Sequence, residues 1–329
     1  LAKDDGIELM YDATDPRASL ASPAPAATGA GSFAGPDIGR FYAEPGIEDG
    51  PGVRSWLLCG ENMVVVHTVA DGDATLIRTD QVDEYAIIAP EPGTPLEITH
   101  GGEAVSAPGN CLVFVPPGVS TVRLPSGGTI TRVFTTRSRD LVAQCPNAAA
   151  HAVPNARVAP IDPWPEPPSG WRVRTYPLDV AAEPGRFGRI WRCTTLMINY
   201  LDPRNGPRDP AKLSPHSHED FEQCSLALTG DFVHHLRWPW TTNMHDWRDD
   251  MHERCSSPSV CVIPPPSIHT TQAVGAGVNQ LVDLFCPPRL DFSRKPGWVL
   301  NEADYPMRDE FSGPQDIIYP SAKAIIAPI

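Results

Sequence analysis

The 329-residue chain has no run rich in lysine or arginine, and its formal charge is -14. Such a surface repels a polyanion, so nucleic acid is not an expected partner. No apolar stretch approaches the ~20 residues that a bilayer-spanning helix requires, so no membrane partner is expected either. No charged segment followed by an apolar one opens the chain, which starts at Leu1; whether a leader preceded it is left open. The eight cysteines (59, 111, 145, 193, 224, 255, 261 and 286) include no C-x-x-C pair. Scattered cysteines behave as small buried hydrophobes, which points to a reducing, cytoplasmic setting with Cys255 and Cys261 as free thiols. Long helices are scarce as well, because 38 prolines are spread along the chain. Only short helical pieces near residues 138–143 are expected, and no helix-turn-helix stretch suggests a regulator.

What is present is β-type sequence. Short apolar stretches such as Met63-Val64-Val65-Val66-His67 and Leu112-Val113-Phe114-Val115 alternate with turns such as Pro92-Gly93, Pro108-Gly109 and Gly127-Gly128. Many short strands between turns predict an all-β barrel or sandwich. Residues 13–52 are rich in Ala, Pro, Gly and Ser, which predicts an extended N-terminal arm over 1–52. Residues 160–170 carry five prolines and read as a stiff linker. The expected division is therefore an arm at 1–52, a first domain at 53–159, the linker, a second domain at 171–299 and a tail at 300–329.

Two stretches carry chemistry. Pro215-His216-Ser217-His218-Glu219-Asp220-Phe221-Glu222 is answered by Pro264-Pro265-Pro266-Ser267-Ile268-His269. Residues two apart on a strand share a face, so His216, His218 and Glu222 would point the same way. His269 returns on a neighbouring antiparallel strand. Three imidazoles and one carboxylate form a donor set for one divalent transition metal, with Fe or Mn favoured and Zn or Ni also suitable.

This pattern resembles the cupin superfamily, whose first motif reads roughly G-x5-H-x-H-x3,4-E-x6-G and second roughly G-x5-P-x-G-x2-H-x3-N. His216, His218 and Glu222 match the first, with Gly230 closing it one residue late and Pro210 at the opening glycine. Pro264 and His269 match the second, with Pro266 at its internal glycine and Gln272 one residue before its asparagine. The stretch 78–88 parallels the first motif again, with Glu84 in the place of Glu222. The stretch 109–121 parallels the second, with Pro116 and Gly118 in place. There Arg78, Asp80 and Thr121 replace the histidines, so this copy is expected to be metal-free. The resemblance spans residues 53 to 295 and implies two tandem cupin (double-stranded β-helix, or jelly-roll) barrels. It also implies a metal held by His216, His218, Glu222 and His269, and association into homo-oligomers.

Four protein ligands around an ion that accepts six leave two positions for water, substrate or O2. With one carboxylate the site would carry a net +1 and favour an anionic chelating substrate. The leading expectation is a metal-dependent oxidoreductase of dioxygenase type acting on a small acidic, phenolic or enediol substrate. The alternatives are a redox-neutral isomerase or lyase acting on a sugar or carboxylic acid, and a non-catalytic small-ligand-binding protein. Candidate substrate-binding residues are Arg192, as a carboxylate clamp, and His234 and Trp238 if the even-numbered face of residues 231–238 is inward. His235 and Arg237 take that role if the odd-numbered face is inward. Gln223 and Gln272 flank ligands and are candidates for orienting them from behind.

Overall fold

The strands Met63–Ala70, Tyr85–Ala89 and Cys111–Val115 are buried at almost every position rather than at alternate ones. A strand reads this way when protein covers both faces of its sheet, and the architecture provides that cover. The computed structural model describes residues 33–308. It is nearly all β, as expected. Among the described residues the α-helices are two single turns, Arg139–Val142 and Leu290–Ser293.

Two seven-stranded antiparallel sheets form the centre of the molecule. One is built from the first half, in the order 174–177, 111–115, 85–89, 128–135, 63–70, 53–59 and 47–48. The other runs 37–39, 259–263, 223–229, 278–285, 197–200 and 189–192, with 204–205 also paired to 278–285. They pack face to face: Met63, Val65, Ile88 and Phe114 meet Ile198, Leu226, Val262 and Leu284 in one cluster. The alternate residues of the first sheet, among them Val64, Val66, Ile87 and Val113, point the other way into a separate core. A four-stranded sheet containing Ala74–Gln81 and Gly118–Leu124 closes that first barrel, and a three-stranded sheet containing Asp231–Arg237 and Ile268–Ala273 closes the second.

Strand pairing crosses the division drawn from the sequence. The strand Asp37–Gly39, within the predicted arm, pairs with Ser259–Ile263 of the second barrel. The strand Arg174–Pro177, beyond the linker, pairs with Cys111–Val115 of the first. Each half thus donates an edge strand to the other, and the ladder hydrogen bonds that result are invisible to composition. Residues 1–32 of the predicted arm and 309–329 of the predicted tail lie outside the described residues.

Candidate metal centre

His216 and His218 lie in an extended stretch just before the strand Gln223–Thr229, and His269 lies in Ile268–Ala273. A reciprocal backbone pair joins the first to the last: His216 N–H donates to His269 O at 3.0 Å, and His269 N–H to His216 O at 2.7 Å. This bridge closes the barrel at the site. The three rings come together with centroids 4.4, 5.0 and 5.1 Å apart, and one nitrogen from each lies within 4.8 Å of the others. Nδ1 of His216 is 3.0 Å from Ser214 O, and Nδ1 of His269 is 3.0 Å from Ser267 O. A proton on each Nδ1 donates to those carbonyls and leaves Nε2 as the donor atom. Burial holds the His218 imidazole well below its usual pKa, with Arg289 and the other two histidines adding to the effect. A neutral imidazole is the form that binds a metal.

Glu222 is a correction. The chain bends at residues 219–220, so the alternation that began at His216 does not carry through to Glu222. Its carboxylate turns away from the histidines and into a turn of the first barrel, accepting Glu61 N–H and Asn62 N–H, both at 2.9 Å. Burial pushes this carboxyl up to about 7, against the pull of those two N–H groups. Gly60 lies directly against it: a Cβ there would stand 2.6 Å from both carboxylate oxygens.

Gln223 takes the place expected of Glu222. Its Oε1 lies 3.1 Å from Nε2 of His218 and 3.4 Å from Nε2 of His269. Its amide nitrogen donates to Ser225 Oγ at 3.2 Å and Asp283 Oδ1 at 3.1 Å, which settles which end of the amide faces the histidines. The residue expected to orient ligands from behind thus faces two of the histidines directly. The sequence carried a signal for this: counting Glu222 as the acid left Gly230 one residue late, whereas Gln223 restores the spacing with four residues after His218. Three imidazoles and this amide would together make a neutral donor set, around which a divalent ion would keep its charge of +2 rather than the expected +1.

A cavity of about 570 Å³ opens onto His216, His269 and Gln223. Arg208 and Asp283 line it as well, and neither stood out in the sequence, because a single charged residue in a loop or strand has no spacing to mark it. Arg208 Nη2 donates to Ser214 Oγ at 2.8 Å and its Nε to Lys212 O at 3.1 Å, so the guanidinium is fixed beside the segment that orients His216.

The other candidates lie elsewhere. Arg192 is buried beneath the tail, donating to Tyr305 O at 2.6 Å and stacking on Trp164, and does not line the cavity. Trp238 donates to Ala34 O at 3.0 Å and packs with Phe33 and Ile263. The even-numbered face of Asp231–Arg237 is the buried one, so His234 points inward, with Nδ1 3.0 Å from Thr271 Oγ1. Thr271, not His234, lines the cavity. Gln272 lies on the outer face, 3.2 Å from Nε2 of His235, because it pairs in register with Val233 rather than with an inward residue.

The first barrel repeats the arrangement of Glu222 in reverse. Glu84 Oε2 accepts Thr194 N–H at 3.1 Å and Thr194 Oγ1 at 2.9 Å, and its Oε1 accepts the Tyr305 hydroxyl at 2.7 Å. The two glutamates that occupy equivalent places in the repeat each insert into the other half.

The chain superposes on oxalate decarboxylase from Lactobacillus farciminis in complex with formate. That match has a TM-score of 0.51 at 14% identity, covering 79% of this chain and 88% of that one. A variant of Bacillus subtilis oxalate decarboxylase matches with a TM-score of 0.51 at 13% identity, covering 91% and 90%. The chain has a bicupin fold. At this identity the likeness is one of fold, and a fold hosts many chemistries. No family model and no curated protein matches the sequence. Among the described residues no helix is long and apolar enough to cross a membrane.

Proposed function

We propose that the second barrel is a metal-dependent active site for a small anionic substrate. Its leading chemistry is dioxygenase-type oxidation of a hydroxy-acid, keto-acid, phenol or enediol. The observation that carries this reading is the convergence of His216, His218, His269 and Gln223, three of which, His216, His269 and Gln223, line a cavity together with Arg208. Nitrogen and amide-oxygen donors suit Fe or Mn, and Zn or Ni as well. A divalent ion held there would supply a Lewis acid and, if redox-active, a path for electrons between substrate and O2.

The protein's own part is to bind and orient. Ser214 and Ser267 carbonyls fix two imidazoles, and Asp283 fixes the Gln223 amide. Arg208, held by Lys212 and Ser214, places a positive charge at the cavity wall that would attract a substrate carboxylate. Because every proposed ligand is neutral, a divalent ion held by them would favour an anion that chelates through two oxygens.

The neutral donor set also favours a second reading, a redox-neutral lyase or isomerase, since an ion that keeps its full charge polarises a carbonyl most strongly. Oxalate decarboxylase, with the same fold, is named for such a small-carboxylate substrate.

Both readings are tested by metal analysis of protein purified without chelator or affinity metal, combined with O2 uptake on small acids and phenols. One Fe or Mn per chain with O2 uptake supports the dioxygenase; one ion with turnover but no O2 uptake moves the assignment to the lyase or isomerase. A chain that neither carries metal nor takes it up on reconstitution rejects both and leaves a binding protein. Arg208→Ala should raise KM about tenfold or more, the effect of losing a charge-assisted hydrogen bond of about 1.5–3 kcal/mol.

A further inference from the structure

The interior of the first barrel has no histidine at the positions corresponding to the metal ligands, yet apolar side chains do not fill it. A cavity of about 370 Å³ opens there, and two guanidinium groups line it. Arg132 belongs to Gly128–Thr135, between Ile130 and Phe134 on the inward face. Arg78 belongs to Ala74–Gln81, two residues beyond the inward Leu76.

The two cations differ in how well they are paired. Arg78 is held by Gln81 and by a two-pronged contact with Asp140, which is largely exposed on the helix Arg139–Val142. Arg132 is only 5% exposed. Its Nη2 reaches Thr68 Oγ1 at 3.2 Å, and the carboxylate of Asp49 stands 3.6 Å away at the rim, where it is half open to solvent. Its Nε is buried with no hydrogen-bond partner among the described residues. Burial also holds this guanidinium below its usual pKa. A buried donor without an acceptor is costly, and the cost is greater for a charged group. The rest of the wall is mixed: Leu57, Val66, Leu76 and Leu141 give it an apolar side, and Asp49, Thr75 and Gln144 a polar one.

We propose that this cavity is a second ligand site, independent of any metal, which takes a small organic monocarboxylate with its charged end on Arg132 and its apolar body against the leucine wall. A planar carboxylate matches the guanidinium fork and brings a second acceptor to a cation whose one carboxylate partner, Asp49, is half open to solvent. A neutral ligand adds no counter-charge to the half-exposed Asp49, and a hydrated inorganic anion gains nothing from the leucine side of the wall. The volume lies within the range of small-molecule pockets, roughly 300–1,000 Å³. On this reading the first barrel has exchanged a metal for an arginine as its anion-binding centre.

Calorimetric titration of the full chain carrying His216→Ala tests the site, since that substitution disables the metal centre as a competing place for carboxylates. Benzoate and hexanoate are expected to bind at one equivalent, and benzamide, with the shape of benzoate but no charge, at least tenfold more weakly. Arg132→Met should weaken benzoate at least tenfold while metal content in the otherwise unchanged chain stays the same. Leu141→Phe narrows the cavity while keeping both arginines and should give the same loss, so the outcome stands even if Arg132→Met fails to fold. Unchanged benzoate binding in a folded variant, equal binding of benzamide, or no binding of either acid at millimolar concentration would overturn the proposal.

Discussion

Glu222 and Gln223 are neighbours with opposite destinations, and each can be tested at the level of the side chain. Gln223 places an amide oxygen 3.1 Å from His218 Nε2, whereas Glu222 accepts two backbone N–H groups of the first barrel. Gln223→Ala should weaken metal affinity by about ten- to a hundredfold with little change in melting temperature, the scale seen when a ligand or its support is lost. Glu222→Ala should leave a metal-binding but less stable chain, because each orphaned buried N–H costs about 1–3 kcal/mol. Metal titrations and thermal melts of the two variants check this. Loss of all metal in Glu222→Ala with full retention in Gln223→Ala would restore the glutamate as ligand. The histidines were legible because their identities and spacing suffice. The choice between adjacent Glu and Gln was not, because it depends on one bend at residues 219–220.

At the scale of elements, a turn of one barrel acts as a clasp for a strand of the other. The turn between Val53–Cys59 and Met63–Ala70 presents two N–H groups to Glu222, and Gly60 allows the carboxylate to approach. Any side chain at position 60 meets both carboxylate oxygens. Gly60→Ala should therefore destabilise the chain by about 1–3 kcal/mol, the usual cost of overpacking. In the Gly60→Ala, Glu222→Ala double variant the two effects should fall short of additivity, since the clash disappears with the carboxylate. Denaturant titration of the four species measures the coupling; strict additivity would show that the two positions do not meet. The strands themselves were readable from alternation and from apolar runs between Gly and Pro turns. Their partners were not, as the exchanged strands Asp37–Gly39 and Arg174–Pro177 demonstrate.

At the scale of the whole molecule, His151 ties three distant segments together. Its Nε2 is 3.0 Å from Asp37 of the exchanged strand, and its Nδ1 is 2.9 Å from Glu61 of the clasp turn. Asp37 foremost, then Glu61, raise its pKa to about 9 against the opposing effect of burial. The folded chain therefore holds a proton that the unfolded chain, with a histidine pKa near 6.5, releases. The stabilisation is fully present below about pH 6.5 and is lost as pH rises through about 9. Accordingly, the melting-temperature gap between the native chain and His151→Ala should be widest near pH 6 and close by about pH 10. A gap that does not vary with pH would rule out a charged His151 in the folded state.

The amino-acid sequence by itself determined the all-β class, the two-fold repeat and the three histidines, because strand periodicity and ligand identity are local properties. Only the tertiary structure decided that Gln223 rather than Glu222 faces those histidines. It also decided that Arg208 rather than Arg192 lines their cavity, and that the first barrel turns two arginines inward. These outcomes depend on which face of a sheet meets which neighbour, and a single bend or an exchanged edge strand reverses that without changing composition or spacing.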